Sequence, residues 1–173
     1  MKTKIKVKVF TPECTPKINE KGDWIDLRSA VDIDIKAAQS GTLKKKDNAK
    51  YRNIRTDVHY IPLGVAIKLP KGYEAIVTSR SGTPKKIGLF IPSGQGIIDN
   101  CYNGENDQWM FVCSPLRETI IHKGDRICQF RVQLSQKATV WQKIKWLFST
   151  GIKLEYVDNL ENNSRGMNVT GIE

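Results

Sequence analysis

The sequence predicts an all-β fold, a sandwich or barrel of many short strands, with one helix near its end. Three observations carry that expectation. Short alternating or β-branched apolar runs recur along the 173 residues. Turn signals such as Pro70-Lys71-Gly72 and Lys123-Gly124-Asp125 separate them. Helical periodicity is confined to residues 139–150. The length suits one domain with a substantial core.

Residues 3–10 alternate polar residues with Ile5, Val7 and Val9, which makes a strand with one buried face. That alternation is unlike a secretory signal, and no run approaches a membrane span, so the expected location is the cytoplasm. Pro12 and Pro16 then break regular structure. Asp26 sits in an apolar run and needs a partner, because an unpaired buried charge is costly; locally it reads as either an ion-pair member or a site residue. Residues 31–35 alternate as a strand. Residues 38–55, with Gly, Ser, Asn and Lys44-Lys45-Lys46, read as an exposed, mobile insertion.

Residues 60–69 and 73–78 read as strands. Ser79-Arg80-Ser81-Gly82-Thr83 follows, and its hydroxyls, arginine and exposed N–H groups suit a phosphate cradle. Residues 87–91 read as a further strand. In residues 94–105, Asn103-Gly104 signals a tight hairpin with Asp99 and Tyr102 together at one end. That end suits either a pocket for a flat polar ring or an ordinary surface hairpin. Residues 109–112, 119–121 and 126–132 continue the β pattern, the last in polar–apolar alternation.

In the helix, Val140, Ile144, Leu147 and Phe148 share one face, which suits core packing or a subunit contact; Trp141 and Trp146 widen the apolar surface. Residues 152–157 make a last strand, which closes a β domain of residues 1–157. The polar tail, 158–173, reads as a disordered terminus or as an arm whose Arg165, flanked by small residues, closes over a phosphate.

Lys and Arg number 28 against 18 Asp and Glu, a formal charge of +10 that favours anionic partners without choosing among them. The lysines lack aromatic interleaving, which argues against a nucleic-acid surface. Cys14, Cys101, Cys113 and Cys128 form no Cys-x-x-Cys pair and read as free thiols in a reducing compartment. With His59 and His122 the only histidines, zinc has little support.

Taken together and in order, these loops resemble the motifs of the homotrimeric dUTPase family. Residues 22–28 read Gly-Asp-Trp-Ile-Asp-Leu-Arg, similar to the first motif in phage-like and Bacillus-type members. Arg80-Ser81-Gly82 is similar to the second, with Ser79 where proline is usual. The third, G-x-I-D-x-x-Y-x-G, is matched by residues 96–104, and the fourth, G-D-R-I-x-Q, by residues 124–129. The fifth is matched only by Arg165-Gly166 and Thr170-Gly171 and lacks its aromatic lid, which leaves either a partial lid or a ring supplied from elsewhere, with Trp109 and Phe111 as candidates.

The resemblance implies a jelly-roll-like distorted β-barrel, with active sites between the subunits of a homotrimer and a C-terminal arm exchanged among them. It implies hydrolysis of dUTP to dUMP and pyrophosphate with Mg²⁺, which limits uracil in DNA and supplies dUMP for dTMP synthesis. Asp99 would be the general base, and Tyr102 would pack under the deoxyribose. Gly96 and the backbone from Ile98 to Tyr102 would form the uracil pocket. Arg80, Ser81, Gly82 and Gln129 would bind phosphate, with Arg165 and Gly166 arriving from a neighbour. Asp26 would hold waters on the metal. The alternatives are a dCTP deaminase-like enzyme of the same fold, or a regulatory, repressor-binding protein that contacts a partner through 38–55 or 139–150.

Overall fold

Alternation of buried and exposed residues organises the chain into open sheets around one apolar core. The computed structural model describes residues 2–37 and 57–161, together with the backbone of four short strands between them. In chain order these elements begin with β1 (Thr3–Val9), β2 (Ile25–Arg28), β3 (Ile33–Ile35), β4 (Gln39–Ser40), β5 (Lys44–Lys46), β6 (Ala49–Tyr51), β7 (Ile54–Arg55) and β8 (His59–Pro62). They continue with β9 (Val65–Lys68), β10 (Tyr73–Ser79), β11 (Leu89–Phe90), β12 (Gly96–Asp99), β13 (Met110–Pro115), β14 (Thr119–Ile121), β15 (Arg126–Leu134), helix α1 (Val140–Leu147) and β16 (Ile152–Tyr156).

The largest sheet has the order β12-β10-β15-β2, all antiparallel. A second, β16-β1-β9, pairs the first strand in parallel with the last, and a third has the order β11-β13-β8. The fold is all-β and jelly-roll-like with one short helix; among the described residues the sheets do not close into a barrel. Ile5, Val7, Leu27, Phe111, Phe130 and Trp109 are wholly buried at its centre, and Trp109 stands edge-on to Phe130 at 5.2 Å.

Residues 60–69 form two strands in different sheets, β8 and β9, rather than one. Gly64 makes the break with φ 67°. A Cβ there would sit 2.9 Å from both Cys14 and Thr11 Cβ, so only glycine allows this approach. The expected strand at 87–91 shrinks to β11, because a π-helical turn, Thr83–Ile87, with proline in its first turn, takes the residues before it. Residues 38–55 also carry regular structure: β4 pairs with β7 and β5 with β6 inside it, as two nested antiparallel pairs. Backbone pairing satisfies N–H and C=O groups even where apolar content is low. The expected exposure of the 38–55 side chains lies outside the described residues.

Helix α1 starts at Thr139, whose Oγ1 accepts from Gln142 N–H (3.3 Å) while Gln142 Oε1 accepts from Thr139 N–H (2.7 Å). Gln142 Nε2 also donates to Lys71 C=O at 2.6 Å, which ties the helix to the turn before β10. Its orientation rules out core packing for the Val140–Ile144–Leu147–Phe148 face, one of the two expected uses, and leaves a subunit contact. Trp146 is the residue that docks, edge-on to Tyr73 at 5.5 Å, whereas the Val140–Ile144–Leu147–Phe148 face points outward with Trp141, Trp141 being 78% and Phe148 74% exposed.

Beyond β16 the chain stays docked. Val157 N–H donates to Val7 C=O, and buried Leu160 donates to Glu105 Oε2 at 2.5 Å. Arg165, Gly166 and the rest of the expected arm lie outside the described residues.

Candidate active site

The sheet β12-β10-β15-β2 separates core from chemistry by simple alternation. Tyr73, Ala75 and Val77 of β10 face the core with Ile25, Leu27, Phe130 and Val132. The intervening residues form the outer face, in rows fixed by register. One row holds Asp26, Gln129 and Thr78; another holds Gln133, Glu74 and Asp99.

At the first row, two guanidinium groups converge on one carboxylate. Arg80 Nε donates to Asp26 Oδ1 at 2.6 Å and Arg126 Nη1 to Asp26 Oδ2 at 3.2 Å. Asp26 is thereby paired, as a carboxylate in an apolar run requires. A bulge in β15 brings Arg126 there: Ile127 and Cys128 are both buried, so Arg126 and Gln129, three apart, both lie outside. The expected alternation over 126–132 fails at this point for that reason. Arg80, Ser81, Gly82, Lys86, Arg126 and Gln129 line a cavity of about 640 Å³.

The loop after β10 is pinned to keep this shape. Thr83 Oγ1 donates to Ile127 C=O at 2.9 Å, Lys86 N–H to Gly82 C=O at 2.8 Å, and Arg117 Nη2 to the carbonyls of Lys85 and Lys86. With Arg80, Arg126 and Lys86 against Asp26 and Asp125, the pocket carries excess cation and fits a polyanion.

The other row is organised around Asp99, whose Oδ1 accepts from Cys101 N–H at 2.9 Å and from the Cys101 thiol. The expected tight hairpin is not what holds it. Gly96–Asp99 is an edge strand paired to β10, the chain turns at Asn100-Cys101, and no strand follows before β13. Gly94, not Gly104, takes the left-handed conformation (φ 81°); Gly104 N–H is bound by Asp107 Oδ2 at 2.7 Å. Tyr102 N–H donates to Asp99 C=O at 3.2 Å, its ring packs against the core, and its hydroxyl donates to Gln108 C=O at 2.9 Å. Burial, and then Asp107, push the Tyr102 phenol above its ordinary range, so it stays protonated. Gly96 and Ile98 lie opposite Val77 and Ala75; β12's other edge has no partner strand among the described residues.

The structure therefore groups Arg80, Ser81, Gly82 and Gln129 around Asp26, and places Gly96, Ile98, Asp99 and Tyr102 elsewhere. Four residues along β15 and three strand spacings separate the rows, about 13 Å by about 14 Å, so Asp26 and Asp99 lie about 19 Å apart on one face. Trp109 and Phe111 are wholly buried, so neither ring is available as a lid. Lys86, Arg126 and Glu74 were assigned no role from sequence. Arg126 belongs to the matched string 124–129, whereas Lys86 and Glu74 carry no local signal and needed the fold.

The cysteines differ sharply. Burial pushes the Cys113 thiol up to about 12 and Cys128 well above its ordinary value; Cys14 is raised by burial and then by Glu13. Only Cys101 is not buried. Titration of the folded protein with a disulfide reagent is expected to modify Cys101 first and the other three only on unfolding. Modification of Cys113 before Cys101 would contradict the fold.

The fold and this face define a class: all-β, jelly-roll-like proteins whose open sheet presents an arginine-lined anion pocket. The dUTPase family model matches residues 34–147. The chain is 42% identical over 164 residues, 94% of its length and 93% of the relative's, to the SPbeta prophage-derived deoxyuridine 5'-triphosphate nucleotidohydrolase of Bacillus subtilis. Its fold is similar to the dUTPase of Streptococcus mutans (TM-score 0.61, 19% identity, 78% of this chain and 98% of that one). It is also similar to a mutant dUTPase of phage phi11 of S. aureus that coordinates a structural Mg(II) ion (TM-score 0.59, 18% identity, 79% and 94% covered). The chain belongs to the dUTPase family.

Proposed function

We infer that this protein is a dUTP diphosphatase, hydrolysing dUTP to dUMP and pyrophosphate, at sites assembled between subunits of a homotrimer. One observation supports this most. Asp26, paired with two arginines of the anion pocket, shares a sheet face with Asp99, and register with ordinary strand spacing sets the two about 19 Å apart, too far to act on one phosphate within a chain. A rotationally symmetric assembly brings the Asp99 end of one copy to the arginine end of the next. Ile97, 59% exposed, lies on the outer face between the rows and suits burial by such a neighbour.

In that site Arg80, Ser81, Gly82 and Gln129 hold the triphosphate, joined by Arg165 and Gly166 of the arm. Asp99 accepts a proton from the water that attacks the α-phosphorus. Tyr102 packs under the deoxyribose, where a 2′-hydroxyl has no room. Backbone groups from Ile98 to Tyr102 read uracil, since a wrong base edge leaves buried groups unpaired.

No cluster of three or more metal-ligating side chains occurs among the described residues. Asp26 fits Mg²⁺ in one way. Each of its oxygens accepts one guanidinium N–H and keeps further acceptor capacity, which suits holding metal-bound waters and not a protein cage. When bound with nucleotide, Mg²⁺ would neutralise triphosphate charge.

No helix among the described residues is long and apolar enough to cross a membrane. The outward apolar face of α1 favours a second role, contact with a protein partner through 139–150. The enzymatic reading is tested by pyrophosphate release from dUTP, dCTP, dTTP and UTP. Turnover of dUTP alone is expected, and ammonia release from dCTP would replace this reading with a deaminase.

A further inference from the structure

Glu74 stands directly opposite Asp99 in the β10–β12 ladder, and Gln133 stands opposite Glu74 on its other side. Directly opposed residues of an antiparallel pair project to one face with Cβ atoms about 5 Å apart. Gln133 Nε2 donates to Glu74 Oε1 at 2.7 Å, which fixes that carboxylate. Glu74 and Asp99 then line the same cavity, of about 620 Å³.

Among the described residues, the groups that line the cavity with Asp99 divide by their effect on its charge. Lys71 from the turn before β10, Lys137 from the segment after β15, and the N–H and thiol of Cys101 all favour the ionised carboxylate. Asn100, Asn103, Ser135 and Gln136 add neutral polar groups. Glu74 is the other carboxylate lining the cavity among the described residues, and it acts in the opposite sense. A like charge held beside a carboxylate raises its affinity for a proton, and a general base works best when that affinity is high enough to take one near operating pH.

We propose that Glu74 is a positioning residue of the active site: oriented by Gln133 across the strand ladder, it strengthens Asp99 as the base. Nothing in the motifs that place this chain in its family includes this position. The proposal rests on Asp99 as the base, and its test separates the two ideas.

The experiment is kcat and KM for dUTP against pH, on the full-length protein, for wild type, Glu74→Gln, Glu74→Ser, Glu74→Asp and Asp99→Asn. Glu74→Gln keeps the shape and can still accept from Gln133, so its circular dichroism and melting curve are expected to match wild type. Its acid limb in kcat is expected to move down by about half to one pH unit, the size expected for neighbouring carboxylates in a partly solvated site. Plateau kcat is expected to fall about threefold, with KM changed by less than about twofold. Glu74→Ser, which needs no partner, is expected to move the limb the same way, and Glu74→Asp, which keeps the charge, to leave it in place. An unmoved limb in both neutral variants, beside an inactive Asp99→Asn, overturns the role of Glu74 alone. An active Asp99→Asn overturns the base assignment and this inference together.

Discussion

Asp99→Asn is expected to lower kcat by about 10²-fold or more, which corresponds to about 2.7 kcal/mol or more of lost transition-state stabilisation. The amide keeps the carboxylate's size, and its oxygen can still accept from Cys101 N–H, which approaches Oδ1 at 2.9 Å. The side chain is exposed on an edge strand, so melting is expected to stay close to wild type. What the amide cannot do is take a proton from water at neutral pH. Nucleotide affinity, measured with a non-hydrolysable dUTP analogue, is therefore expected to be retained. Near wild-type turnover would remove Asp99 from the chemistry.

The second large effect concerns assembly of the site. Arg80→Ala removes a cation from the pocket and one of the two guanidinium partners of Asp26, and is expected to abolish most turnover. Asp99→Asn damages the other row. If each site takes its anion pocket from one copy and Asp99 from the next, co-refolding equal amounts of these two inactive proteins regenerates intact sites. Random mixing then restores about a quarter of wild-type activity. A site built within one chain predicts no recovery, because every chain would carry one defect. The two outcomes differ by far more than assay error, and the mixture needs no knowledge of the interface.

Much of this site was legible locally, because the chemistry needs particular side chains at short spacing. Arg80-Ser81-Gly82 follows β10 directly, and these residues line one cavity together with Gln129. Asp26 reads locally as either a structural or a site residue, and its partners were not legible because Arg80 and Arg126 reach it from positions 54 and 100 residues away. Asn103-Gly104 misled, because its turn signal is local, whereas the pairing of Gly96–Asp99 with β10 is a long-range choice. Trp109 and Phe111 misled as lid candidates, since an aromatic ring reads the same in sequence whether it caps a base or fills a core.

By itself the sequence determined the all-β class, the one helix at 139–150, and the identity of the residues that carry charge. These follow from period and turn chemistry, which act over a few residues. The tertiary structure alone decided that Asp26 and Asp99 share one sheet face about 19 Å apart, that Glu74 stands opposite Asp99, and that helix α1 turns its apolar face outward. Those facts depend on strand order and register. Pairing between distant segments sets them, and no local pattern encodes which strand becomes a neighbour.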